Sequence, residues 1–212
     1  VMGSEFAAST NSMQWVVSAY LFAFGVMSIF HGPLSDALGR KPVMIGGIGV
    51  YVLASVGCDL APNLGAMIFF RSLQGLSAGG GVIVSRTLVR DLYDGPQAQK
   101  LMATVMMIFG LAPAIAPIVG GWILSLGPWQ LIFWFLTGYG VLLVLAVWLL
   151  LPETHPRELR TPFTVPALMA ELFEVAKSPR FHRMAWSGIL IFAGWFLYIG
   201  GAAIVVFDLL HK

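Results

Sequence analysis

Long apolar runs alternate with short polar breaks along the whole chain. Six stretches of about 18 residues or more are dominated by aliphatic and aromatic side chains: residues 14–30, 42–60, 66–88, 101–126, 129–151 and 184–207. A helix rising about 1.5 Å per residue needs that length to cross a hydrocarbon layer about 30 Å thick. In lipid each unpaired backbone group costs several kcal/mol, so open strands are excluded and all six runs are expected as helices. The expected fold class is all-α, a polytopic transmembrane helix bundle.

The polar breaks carry the orientation. Links after the first, third and fifth runs hold Arg40 with Lys41, Arg90 with Lys100, and Arg157, Arg160, Lys177, Arg180 and Arg183, whereas "APNLG" and "GP" hold no basic residue. Basic loops stay in the cytoplasm, which places the first set there and the N-terminal end outside. The only long link, 152–183, contains "VPALMAELFEVAKS", with Leu168, Leu172 and Val175 on one helical face and Glu171 and Lys177 away from it. That pattern fits a surface helix in a connection between two bundles. The organisation expected is therefore most of one bundle in 1–151, a cytoplasmic linker in 152–183, and the first helix of a second bundle in 184–212.

Composition changes the picture in what it excludes. At 58% hydrophobic and 10% charged residues, with a mean hydropathy of +0.85, the chain is too apolar to be hidden from water in a soluble domain of 212 residues. The net charge of +2 is small and dispersed, and no basic block interleaves with aromatics, so nucleic acid is not an expected partner. The single Cys58 rules out an internal disulfide framework and reads as a small buried hydrophobe. His31, His155, His182 and His211 are scattered and read as solvated; no metal site, cofactor or enzyme chemistry is expected. The polar opening "VMGSEFAASTNS" lacks a signal-peptide pattern, and with Val1 in first place the chain reads as an internal piece of a longer protein.

The charge concentrates in "GPLSDALGRKPVMIGG", residues 32–47. Gly32 is expected to end one helix, Gly39 to supply a tight turn and Pro42 to open the next helix, giving a short cytoplasmic hairpin. Asp36 and Arg40 are four apart and pair if the segment between them is helical. Taken alone, the basic pair serves topology. The order Gly32, Asp36, Gly39, Arg40, Lys41, however, resembles the G-x-x-x-D-x-x-G-R-K signature of the major facilitator superfamily, which lies between that family's second and third helices. The resemblance implies a latch on the cytoplasmic side, its arginine reaching an acid near the end of helix four. Asp91 in "RTLVRDLYD" is the natural partner.

Two more stretches carry the resemblance. "RSLQG", with Arg71, Gln74 and Gly75, matches the R-x-x-Q-G of the family's fourth helix. An arginine at the centre of a membrane helix costs about 2.5–3.5 kcal/mol, so Arg71 needs a partner, a wet cavity or a route to the headgroups. It reads either as snorkelling to the outer headgroups or as a fixed charge facing the cavity, which the resemblance ties to proton coupling; Asp59 is a candidate acid or else a group in water at the helix exit. "APAIAPIVGG" is similar to the G-x-x-x-G-P-x-x-G-G of helix five in proton-linked antiporters. Pro117, Gly120 and Gly121 match, while Ala112 and Ala116 stand where glycines are usual. Pro113 and Pro117 are expected to kink the helix, and the small residues serve either antiport or simple helix packing.

With "LPET" at 151–154, the resemblance covers nearly the whole chain and is closest to the drug:proton antiporter group that includes bicyclomycin and chloramphenicol exporters. It implies helices two to seven of about twelve, and proton-coupled efflux of small organic molecules across a bacterial inner membrane by alternating access. A facilitator or symporter of the same fold, or a fragment without function, are the alternatives. The expected cavity wall is Trp15, Ser18 and Tyr20, with Arg71, Gln74, Trp195 and Tyr198; Trp129 and Trp186, at helix ends, are expected in the interfacial belts.

Overall fold

The computed structural model describes residues 10–204, and the side chains of 12–194. Among these residues the secondary structure is helical: α1 (Thr10–Leu38), α2 (Arg40–Asp59), α3 (Leu64–Leu92), α4 (Gly95–Leu126), α5 (Gln130–Leu150), a single 3-10 turn (Arg157–Leu159), α6 (Val165–Lys177) and α7 (Pro179–Ile204). The first five are long and apolar enough to cross a membrane. The predicted run at 184–207 is helical as α7 but passes beyond the described residues.

The first helix differs from expectation. Gly32 does not end it: α1 continues through Pro33 to Leu38, and α2 starts at Arg40. A proline within a helix removes one backbone bond, but the residues after it resume the ladder, so Pro33 costs a hydrogen bond without stopping the helix. The predicted hairpin shrinks to one residue, Gly39, whose φ of +101° suits glycine and strains other residues. At 29 residues α1 is about 43 Å long, so its last turns lie beyond a hydrocarbon layer about 30 Å thick.

Two buried clusters fix the relative directions of the helices. One joins Val16 of α1, Cys58 of α2, Met67 of α3, and Trp129 and Phe133 at the start of α5; Trp129 meets Phe133 edge-on at 5.8 Å. The other joins Val43, Met44 and Val84 with Leu34, Val147 and Leu151. Early residues of α1, α3 and α5 thus share an end with late residues of α2, as an up-and-down bundle requires. Trp129 is therefore a correction: only 5% exposed, it fills the core at that end and does not stand in an interfacial belt, whereas Trp186 is exposed.

α3 lies at the centre, packed against α1 and α2, and α2 packs in turn on α5. Its start is fixed by Asn63, whose side-chain oxygen accepts from the Ala66 N–H at 2.9 Å and caps the helix. The outer faces carry large apolar side chains in the open, including Phe22, Trp122 and Leu150. A protein surrounded by water does not present so continuous an apolar surface; one surrounded by lipid does.

The chain divides into two compact units, the first ending at Pro162 and the second running from Phe163. Residues 152–160, expected in the linker, fold onto the first unit through hydrogen bonds described below. In the second unit α6 forms where the amphipathic pattern placed it. Leu168 is buried and Leu172 partly so, while Val175 is 47% exposed.

Candidate gating site

The end of α1, the start of α2 and the end of α3 meet around one guanidinium. Arg40 is only 5% exposed. Its Nε donates to Asp91 Oδ2 at 3.0 Å, and its Nη1 donates to Ser35 Oγ at 2.7 Å and to Asp36 Oδ1. Because α1 stays helical to Leu38, Ser35 and Asp36 sit one turn before Arg40 and present their oxygens to it. Asp91, at the far end of α3, closes the other side. Two carboxylates and a hydroxyl thus partner a nearly buried cation through charge-assisted hydrogen bonds, the acids themselves keeping an edge to solvent. The pairing of Arg40 with both acids is legible from spacing and motif; Ser35 was not, since serine beside a glycine-proline pair reads as turn.

The segment after α5 completes the site. Glu153 accepts from the Arg40 N–H at 3.0 Å and the Lys41 N–H at 3.3 Å, and Thr154 Oγ1 donates to Asp91 Oδ2 at 3.1 Å. Lys41 Nζ donates to the Trp148 carbonyl at 2.7 Å. Sequence reasoning took "LPET" only as the exit from a helix. Its acid next to a hydroxyl was the available signal, but nothing local says which helix end more than a hundred residues away it caps. Gly32 has open space where a side chain would stand, and its carbonyl accepts from Ser35 Oγ at 2.8 Å, which leaves the Ser35 oxygen turned to Arg40.

Deeper in the bundle lies a second polar cluster. Arg71 Nη1 donates to Gln74 Oε1 at 2.9 Å, and its guanidinium carbon sits 4.6 Å from the centre of the Tyr20 ring. Gln74 is fully buried; its Nε2 donates to Ser55 Oγ at 2.6 Å, and its Oε1 also accepts from the Cys58 thiol at 3.7 Å. Arg71 thereby finds a neutral amide and an aromatic face, which partly offset its cost in lipid. Ser55 and Cys58 were missed because each is a lone small residue in an apolar run.

Gly75 does not face a cavity. A Cβ there would overlap the Tyr20 carbonyl oxygen and lie 3.0 Å from the Ala23 Cβ. Gly79 and Gly80 similarly accept the His31 ring, which corrects the expectation that His31 is solvated: it is 3% exposed and its Nδ1 lies 2.8 Å from the Met27 carbonyl oxygen. Gly75 and Gly79 are four apart and make the close α1–α3 crossing that such spacing favours.

A cavity of about 480 Å³ opens between these helices, lined by Tyr20, Tyr51, Ser77, Arg86, Phe109 and Tyr139 among others. Of the expected cavity wall, Tyr20 alone among the described residues lines it. Trp15, 66% exposed, and Ser18 lie on an open face of α1; Arg71 and Gln74 are absorbed into the polar cluster; the side chains of Trp195 and Tyr198 lie outside the described residues. Pro113 and Pro117 lie within the unbroken span of α4, and among the described residues Gly120 and Gly121 have no neighbour close enough to touch an added Cβ.

The Major Facilitator Superfamily model matches residues 1–210. The chain belongs to the major facilitator superfamily. Its members are membrane transporters and not enzymes, and this chain is a multi-pass, membrane-spanning member. It is 33% identical over 210 residues to a protein of Bacillus subtilis (strain 168) named as the uncharacterized MFS-type transporter YdgK, covering 98% of this chain and 52% of that protein. It is 28% identical to a bicyclomycin resistance protein homolog of Haemophilus influenzae, covering 96% and 51%. Multidrug resistance protein D of Escherichia coli (strain K12) is 32% identical over 157 residues, covering 73% and 39%. The chain thus spans about half the length of the first two relatives. Among solved structures, the human organic anion transporter MFSD10 superposes with a TM-score of 0.63 at 25% identity over 73% of this chain and 36% of that one. Relatives named for drug resistance agree with the drug:proton antiporter resemblance of the three sequence motifs.

Proposed function

We propose that this chain supplies the cytoplasmic latch and part of the inner wall of a proton-coupled exporter of small, largely apolar organic molecules. The bias of Lys and Arg supports a cytoplasmic Arg40 end, and the bacterial origin of the relatives supports a bacterial inner membrane as its location. The observation that carries the reading is Arg40 itself. A nearly buried guanidinium held by acids from two helices, Asp36 of α1 and Asp91 of α3, is a strong contact when closed, and its members return to water when the helices part. Alternating access needs such a contact on one side of the membrane. Asp36 and Asp91 keep Arg40 in place, and Lys41 ties α2 to the end of α5. Arg71, Gln74 and Gly75 form the inner part, where a fixed positive charge changes the proton affinity of any acid brought near it. The small face of α4, with Pro113, Pro117, Gly120 and Gly121, serves contact with further helices of the transporter.

The test uses a transporter of the relatives' full length that contains this chain, reconstituted in proteoliposomes and loaded with ethidium. An imposed proton gradient is expected to drive ethidium transport, and Arg71→Ala to remove that drive while leaving ethidium binding within about threefold. Ethidium movement indifferent to the gradient would favour the facilitator reading, which shares the latch motif.

A further inference from the structure

Two helix ends of opposite polarity meet beside Arg40 and exchange caps. The first turn of α2 leaves backbone N–H groups without helical partners, and Gly39 has no side chain to offer them. Glu153 takes that place from 113 residues away, one carboxylate oxygen on the Arg40 N–H and the other on the Lys41 N–H. Lys41 returns an ammonium to the last turn of α5 at Trp148. A carboxylate at a helix start and an ammonium at a helix end each match the sign of the helix dipole. The chain from Glu153 onward is tied down further: the His155 N–H donates to Glu153 at 3.0 Å, Arg160 Nε donates to the His155 carbonyl at 3.4 Å, and Arg160 Nη2 lies 3.8 Å from Glu153. Arg160 and Glu153 lie so close over Gly39 that a Cβ there would press into both.

We propose that residues 151–160 form a strap whose Glu153 is a positioning residue for the clasp. By capping α2, Glu153 fixes the backbone of Arg40, so that its guanidinium spans Asp36 and Asp91. Thr154 fixes the same Asp91 oxygen that Arg40 grips. A Glu153–Arg160 ion pair alone would contribute little at 3.8 Å and partial exposure; the two backbone bonds are what the strap adds. Because the strap leads out of α5 into the connection to α6, displacement of that connection withdraws the cap and loosens the clasp. The consequence for transport rests on the latch reading above; the capping does not.

The experiment measures amide hydrogen exchange in lipid nanodiscs and ethidium transport in proteoliposomes, both on the full-length transporter. In Glu153→Ala the Arg40 and Lys41 amides are expected to exchange about tenfold faster, while the amides of Ala54 and Ser55 at the other end of α2 stay unchanged. Glu153→Gln, which keeps an acceptor, is expected to recover most of that protection. Maximal ethidium turnover is expected to fall several-fold in Glu153→Ala with KM within twofold. Unchanged exchange at Arg40 and Lys41, or a rise spread equally along α2, overturns the strap whatever Asp36→Asn does. Faster local exchange with normal turnover overturns the positioning role. Faster local exchange together with normal transport by Asp36→Asn leaves the cap standing and overturns the latch.

Discussion

α3 and α4 are of similar length, 29 and 32 residues, and both carry runs of glycine and alanine, yet they differ completely in burial. α3 buries Gln74, Gly75, Ser77, Gly79 and Gly80 against α1 and α2, whereas no described residue of α4 is buried. The difference is one of partners and not of composition. On α3, small residues stand opposite the Tyr20 carbonyl, Ala23 and His31, and polar side chains find Ser55 and Arg71. On α4, a Cβ added at Gly110, Gly120 or Gly121 meets nothing within 4 Å among the described residues. Small residues in a membrane helix permit close approach; they do not supply the neighbour.

The largest effect expected from that contrast is at Gly75. Gly75→Leu forces α1 and α3 apart because the obstacle is backbone, and a loss of about 3 kcal/mol or more is expected, measured as unfolding of this chain in detergent. Gly120→Leu in the same assay is expected to cost less than about 0.5 kcal/mol, the value for sites without a close neighbour. Equal losses at the two positions would erase the distinction between the helices. Next in size is Gln74→Leu, which strips Arg71 and Ser55 of a buried partner; about 1–3 kcal/mol is expected in that assay. Below it comes Asn63→Ala, which removes the cap of α3 for about 1 kcal/mol and should raise exchange in its first turn only.

The same contrast explains what could be read beforehand. All six predicted runs appear as helices where described, five of them of spanning length, because apolar runs of that length have few alternatives in lipid. Ends were less legible: α1 overran Gly32 by a turn and a half because Pro33 is tolerated inside a helix whose later turns still close. The Arg40, Asp36 and Asp91 contacts followed from a motif and a four-residue spacing. Glu153, Ser55 and His31 did not, because each depends on a helix brought alongside by the fold. The expected cavity wall had the weakest basis. Tryptophan and tyrosine fill cores, face lipid or line cavities with equal ease, and Trp129, Trp15 and Tyr20 do one each.

The most direct test of the latch is ethidium export by a full-length transporter carrying Asp36→Asn, with membrane insertion confirmed separately. Export slowed at least tenfold, with insertion intact, is the expected result, since one of two acids on a nearly buried arginine has lost its charge. Export at the unaltered rate would contradict it.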